Sequence, residues 1–138
     1  MSKRSAPVLL VVALAFVACG GSAKPKASPS SSTARPSSTA VLAIVSPKEG
    51  DTVATSGVNV KISLTGAHIV PAGSRALRPD EGHVHLRVDG ITITLFGGLE
   101  VSTGMLKPGP HLIEVEFAAS DHGPFNPRVI QRVTVTAA

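Results

Sequence analysis

One cysteine, four phenylalanines and neither tryptophan nor tyrosine occur among the 138 residues. A lone thiol excludes an internal disulfide and any cysteine-built metal site. Without Trp or Tyr there is no platform on which nucleic-acid bases would stack. The aromatic surfaces that sugar-binding modules commonly use are missing for the same reason. No apolar run approaches the roughly 20 residues of a bilayer-spanning helix. Catalytic signatures are absent too: there is no Gly-x-Ser-x-Gly elbow, no His-Glu-x-x-His and no phosphate-cradling glycine loop. Nothing in the spacing of Ser102, Ser120 and His122 favours a nucleophile and base, so no enzyme is expected.

The formal charge of +4 is also less than it looks. Lys3, Arg4, Lys24, Lys26 and Arg35 all precede Ala40, whereas every acidic residue follows it. The chain from Ala40 onward is therefore close to neutral, which argues against a nucleic-acid footprint. A basic stretch ahead of a neutral domain suits weak attraction to anionic lipid headgroups.

What is present at the start is a charged pair, Lys3-Arg4, an apolar to weakly polar stretch from Ala6 to Ala18, and Val17-Ala18-Cys19-Gly20. This is the layout of a secretory signal peptide over residues 1–18. Its end resembles a bacterial lipobox, with Phe16 where that pattern usually has Leu, Val or Ile. The resemblance implies acylation of Cys19 and a lipid anchor, palmitate included, on the extracytoplasmic face of the cell membrane. The alternative is a small apolar Cys19 in a signal cut elsewhere, such as after Ala23. The polar tract that follows offers nothing for that side chain to pair with or pack against. Residues 19–39 are nearly all Ser, Ala, Pro, Lys, Gly and Thr, too poor in apolar bulk to offset ordering entropy. They are expected to form a disordered spacer.

From Ala40 the texture becomes short β-branched runs broken by turn residues. Strands are expected at Val41–Val45, Val58–Thr65, His83–Val88, Ile91–Phe96, Leu99–Ser102, Leu112–Phe117 and Val129–Thr136. The period-two alternation is clearest at Val58, Val60, Ile62 and Leu64. Asp89-Gly90 is a strong two-residue hairpin signal. About seven strands over residues 40–138 read as an all-β immunoglobulin/fibronectin-III-like sandwich. Such a domain is large enough to fold without staples.

Two segments resemble sandwich landmarks. Ile44-x-Ser46-Pro47-x-x-Gly50-x-x-Val53 is similar to the opening of many bacterial immunoglobulin-like domains. Leu106-x-Pro108-Gly109-x-His111-x-Ile113-x-Val115 is similar to the corner leading into their sixth strand. The pattern Gly82-His83-x-His85-x-x-x-Asp89-Gly90, followed by Pro108-Gly109-x-His111, resembles a family of small exported bacterial proteins of uncharacterised function. Members of that family often have adjacent histidines where this chain has Val84 between them. The resemblance implies the fold and draws attention to the histidines.

Those histidines are the one chemical constellation. Val84, Leu86 and Val88 make the inward row of their strand, which turns His83, His85, Arg87 and Asp89 outward. The loop Ala119–Pro127 and the long loop Gly66–Gly82 are expected at the same end. His83, His85, Asp121 and His122, with Asp80 or Glu81 nearby, then form a candidate site for Cu(II), Zn(II) or Ni(II). The competing reading is a hydrated face on which His85 or Arg87 meets Glu114 or Glu116 across the ladder. His111 has inward parity and is expected to be a structural corner residue near Asp89.

Two functional classes stay open. One is a cell-envelope module that binds another envelope protein, through apolar loop residues Ile69, Val70, Leu77 and Phe125. The other is transition-metal binding, copper or zinc, through His83, His85 and the Asp121-His122 loop. Neither involves nucleic acid.

Overall fold

β-Branched residues on alternate positions build strands that are apolar on one side, and two such sheets close a core between them. The computed structural model describes residues 34–138 except 72 and 74–76. The expected signal peptide, Cys19 and the expected spacer as far as residue 33 lie outside the described residues. The described part belongs to one compact unit, Thr33–Ala138.

In chain order the strands are β1 (Val41–Ser46), β2 (Thr52–Val53), β3 (Asn59–Thr65), β4 (His68–Ile69) and β5 (Glu81–Val88). They continue with β6 (Ile91–Phe96), β7 (Glu100–Ser102), β8 (Gly109–Ala119) and β9 (Val129–Ala137). One sheet has the order β1-β3-β7. The other runs β2-β9-β8-β5-β4, with β6 also paired to β5. This is the all-β, immunoglobulin/fibronectin-III-like sandwich expected from the alternation. The seven expected strands are all present; β2 and β4 are additional two-residue pairings, parallel to β9 and β5 respectively.

The inner faces carry Leu42, Val60 and Ile62 from one sheet against Val84, Leu86, Ile113, Val115, Phe117 and Val135 from the other. Burying each such side chain contributes about 1.5–3 kcal/mol relative to leaving it in water. Asp89 and Gly90 sit at φ 52° and 79° between the paired residues Val88 and Ile91. That is the left-handed backbone a two-residue hairpin demands.

One boundary differs from expectation. Residues 34–39 belong to the folded unit and not to a spacer. Pro79 O accepts from Thr39 N at 3.1 Å and from Ser38 Oγ at 2.7 Å, and Pro36 O accepts from Asn126 N at 2.9 Å. Composition points to disorder there because it carries no sign of partners that lie some 27 to 90 residues away. Described residues of the long loop are likewise tied down. Val70 N donates to Gly82 O, and Gly73 N to Ser120 O.

Candidate metal centre

β5 is the strand that places the histidines. It pairs with β8 along one edge over Gly82–Val88 and with β4 and β6 along the other. Its second residue is Gly82, where a Cβ would collide with the Ala118 carbonyl and with Phe117. Alternation then puts Val84 and Leu86 in the core and turns His83 and His85 to the opposite face.

That face is not hydrated. His83 and His85 are only 4% and 7% exposed. Their rings meet, Nε2 to Nε2, at 2.9 Å, and His83 Nε2 lies 3.1 Å from His122 Nδ1. His122 comes from the turn after β8 and is exposed. All three nitrogens fall within 4.8 Å of one another. The ring centroids are 4.8 Å apart for His83–His85, 4.6 Å for His83–His122 and 5.9 Å for His85–His122, which puts His83 in the middle.

Burial, the largest influence, pushes the His83 imidazole below its usual range, helped by the charge of His122 and opposed by Asp121. His85 is pushed down to about 4, first by burial, then by His83 and Arg87. Both rings are therefore neutral near pH 7, the form that can offer a lone pair to a metal. His83 Nδ1 is buried and has no partner. Here, in the tautomer with the proton on Nδ1, the Nε2 lone pair faces two further ring nitrogens. Without a cation that lone pair accepts a hydrogen bond from the ring N–H of His85 or His122, and the same nitrogen can serve a cation instead.

The donor set suits borderline metals. Three imidazole nitrogens fit Cu(II), Zn(II) or Ni(II) rather than Ca(II), which needs several oxygens. At metal–nitrogen lengths of about 2.0–2.1 Å no two ligand nitrogens can be more than about 4.2 Å apart, so a trio spanning up to 4.8 Å would draw together around an ion. The exposed His122 side is the way in.

The expected carboxylates do not join this cluster. Asp121 is engaged through both oxygens by Arg35, with Nη1 donating to Oδ2 at 2.6 Å and Nη2 to Oδ1 at 2.9 Å. The hydrogen bond from Arg35 is the main reason its carboxyl is drawn down to about 2. Glu81 pairs with Arg78, and the backbone carbonyl of Asp80 accepts from His68 N. The apolar loop residues proposed for a protein interface are also largely taken. Phe125 is 1% exposed and stacks on Phe117 at 5.6 Å, while Ile69 and Leu77 pack against the core.

Beside the histidines is an ion cluster that the sequence hinted at only as a cross-ladder pair. Glu116 faces His85 across the β5–β8 ladder and is 2% exposed. Arg87 Nη1 donates to its Oε2 at 2.8 Å; Arg128 donates from Nε and Nη2 at 2.8 and 2.7 Å. Burial alone would raise this carboxyl, but the hydrogen bonds from Arg128 and Arg87 outweigh it and hold it below its usual range. Glu116→Gln keeps the shape and removes the charge, leaving one amide N–H facing a guanidinium. The expected loss is about 2 kcal/mol, read as a lower urea midpoint at unchanged slope. An unchanged midpoint would show that the charge of Glu116 contributes nothing to stability. Glu114 instead meets Arg132 at 2.9 Å.

His111 lies at the other end of the strands. Its Nε2 donates to Lys107 O at 2.7 Å and its Nδ1 faces Asp89 Oδ2 at 2.7 Å; Asp89 Oδ1 accepts from Leu112 N. With acceptors at both nitrogens the ring favours its proton, and the Lys107 carbonyl and then Asp89 raise its pKa. The chain thus biases His111 toward its charged form and His83 and His85 toward the neutral one.

No protein-family model matches the chain, and no curated protein matches it. Solved structures that it is similar to include the fibronectin(III)-like modules of Clostridium thermocellum CbhA. The identity there is 14%, over 70% of this chain and 96% of that one, with a TM-score of 0.48. Another is an engineered protein from the Northeast Structural Genomics Consortium, at 16% identity over 72% of this chain and 20% of that one, TM-score 0.47. The sandwich assignment itself rests on the strand order.

Proposed function

We propose that this chain is an exported, lipid-tethered β-sandwich that binds a transition-metal ion, copper or zinc, through His83, His85 and His122. The observation that carries the reading is the gathering of three ring nitrogens within 4.8 Å of one another, two of them on buried, neutral imidazoles. The anchor at Cys19 and the signal ahead of it supply the location, at the outer face of the cell membrane. A module for docking another envelope component is the second reading. It is favoured by Ile91 and Ile93, 68% and 44% exposed on β6.

Calorimetric titration of Cu(II) and Zn(II) into the full chain tests the first reading. One-to-one binding is expected, abolished in His83→Ala/His85→Ala and strongly weakened in His122→Ala. The weakening should exceed the 10–100-fold that loss of an outer-shell partner typically costs. Since His122 is exposed, its variant separates a lost ligand from a lost fold. No binding by the wild type, or binding indifferent to His122, would remove the metal reading and leave the docking module.

A further inference from the structure

The ligand donated by His122 is only as well placed as the turn that carries it, and that turn is held from outside the strands. His122 N donates to Ala119 O at 2.9 Å, and Ala119 N to Gly123 O at 3.0 Å. This closure leaves His122 at φ 67°, a left-handed conformation that costs a residue with a Cβ about 1–2 kcal/mol. Something must over-determine it.

Arg35 does so, from the segment just ahead of β1. Its fork grips both oxygens of Asp121, and its Nε donates to Pro124 O at 2.7 Å, so the guanidinium spans the turn on either side of His122 and Gly123. A Cβ on Gly123 would run into that guanidinium, which accounts for glycine there. Asp121 Oδ1 also accepts from Gly123 N at 3.0 Å. Next to Arg35, Pro36 O takes the amide of Asn126. Planar, bidentate grip is what an arginine supplies and a lysine does not.

We propose that Arg35 is a positioning residue for the metal centre, holding the His122 turn against His83 and thereby setting metal affinity. The inference rests on the metal reading above. It makes the segment just ahead of β1 part of the site, because Arg35 acts on the ion only through Asp121 and the turn. Cleaving or pulling away the segment ahead of Ala40 would release His122 and leave a weaker pair of imidazoles.

The test is Cu(II) affinity by competition with a chromophoric chelator, on the full chain, for wild type, Arg35→Gln, His122→Ala and the double variant. Arg35→Gln is expected to lower affinity about 10–100-fold, the usual effect of losing an outer-shell partner. Nitrogen hyperfine structure in the Cu(II) electron paramagnetic resonance spectrum should fall from three imidazoles to two. In the His122→Ala background, Arg35→Gln should cost nothing more, since both remove the same ligand. Wild-type affinity with three imidazoles in Arg35→Gln would overturn the inference while leaving the metal site standing. A loss of equal size in the His122→Ala background would also overturn it, by showing a general effect on folding. If the wild type itself binds no Cu(II), the metal reading and this inference fall together.

Discussion

Acidification from pH 7 to pH 4 is expected to cost the metal-free protein on the order of 3 kcal/mol of stability through His85 alone. In the unfolded chain this imidazole takes up its proton near pH 6.5. In the folded chain it does not do so until about pH 4, because the ring is buried and faces His83, Arg87 and His122, with Glu116 the one opposing charge. Between those two values the unfolded state binds a proton that the native state refuses. Stability therefore rises with pH across this window and falls as pH drops through it. His83, lowered for the same first reason, adds in the same direction. His111 behaves oppositely. Its raised pKa gives a contribution that is complete below the ordinary histidine range and lost as pH rises through the folded value. Urea midpoints measured from pH 7.5 to 4.5 for wild type and His85→Asn check this. The variant should show a visibly flatter profile. Parallel profiles would mean that His85 titrates normally in the fold.

The sandwich was legible because its signal is local. Val58 to Thr65 alternate strictly, Asp89-Gly90 specifies a tight hairpin, and runs of β-branched residues mark the remaining strands. β2 and β4 were not legible, since two residues carry no period and their parallel pairing to β9 and β5 is a tertiary event. The start of the domain was misplaced for a related reason. Residues 34–39 have the composition of a spacer, and their order comes from contacts to Gly66, Pro79, Asp121, Pro124 and Asn126.

The histidine geometry was half legible. Alternation correctly put His83 and His85 on one face, and the intervening Val84 is what makes that so: adjacent histidines would have pointed to opposite sides of the sheet. Their burial was not legible, because outward parity is ordinarily a hydrated position. It becomes a buried one only where neighbouring segments fold over that face. Asp121 looked like a ligand by its neighbourhood to His122. No local pattern marks its actual partner, Arg35, which lies 86 positions earlier.

Phe125→Ala is expected to be the most damaging single substitution, at about 3–5 kcal/mol. The side chain is 1% exposed although it belongs to a loop, and its ring stacks nearly parallel on Phe117, at 11° and 5.6 Å. Truncation would leave a cavity beside the β8 core row, with no strand hydrogen bonds at this position to keep the backbone in place. The aromatic pair contributes about 0.5–1.5 kcal/mol beyond its buried area, and that is lost as well. For a domain of roughly 100 residues the thermal midpoint should fall by more than about 12 °C. The effect should also reach the candidate site. Phe125 follows the His122-Gly123-Pro124 turn directly and pins its far end into the core, as Arg35 pins its outer side. Phe125→Leu, which keeps apolar volume, should recover much of the stability. If both variants lose less than about 1 kcal/mol, the loop is not anchored by this ring. If stability recovers in Phe125→Leu but Cu(II) affinity does not, the stacked geometry itself, and not merely the burial, holds His122 in register with His83.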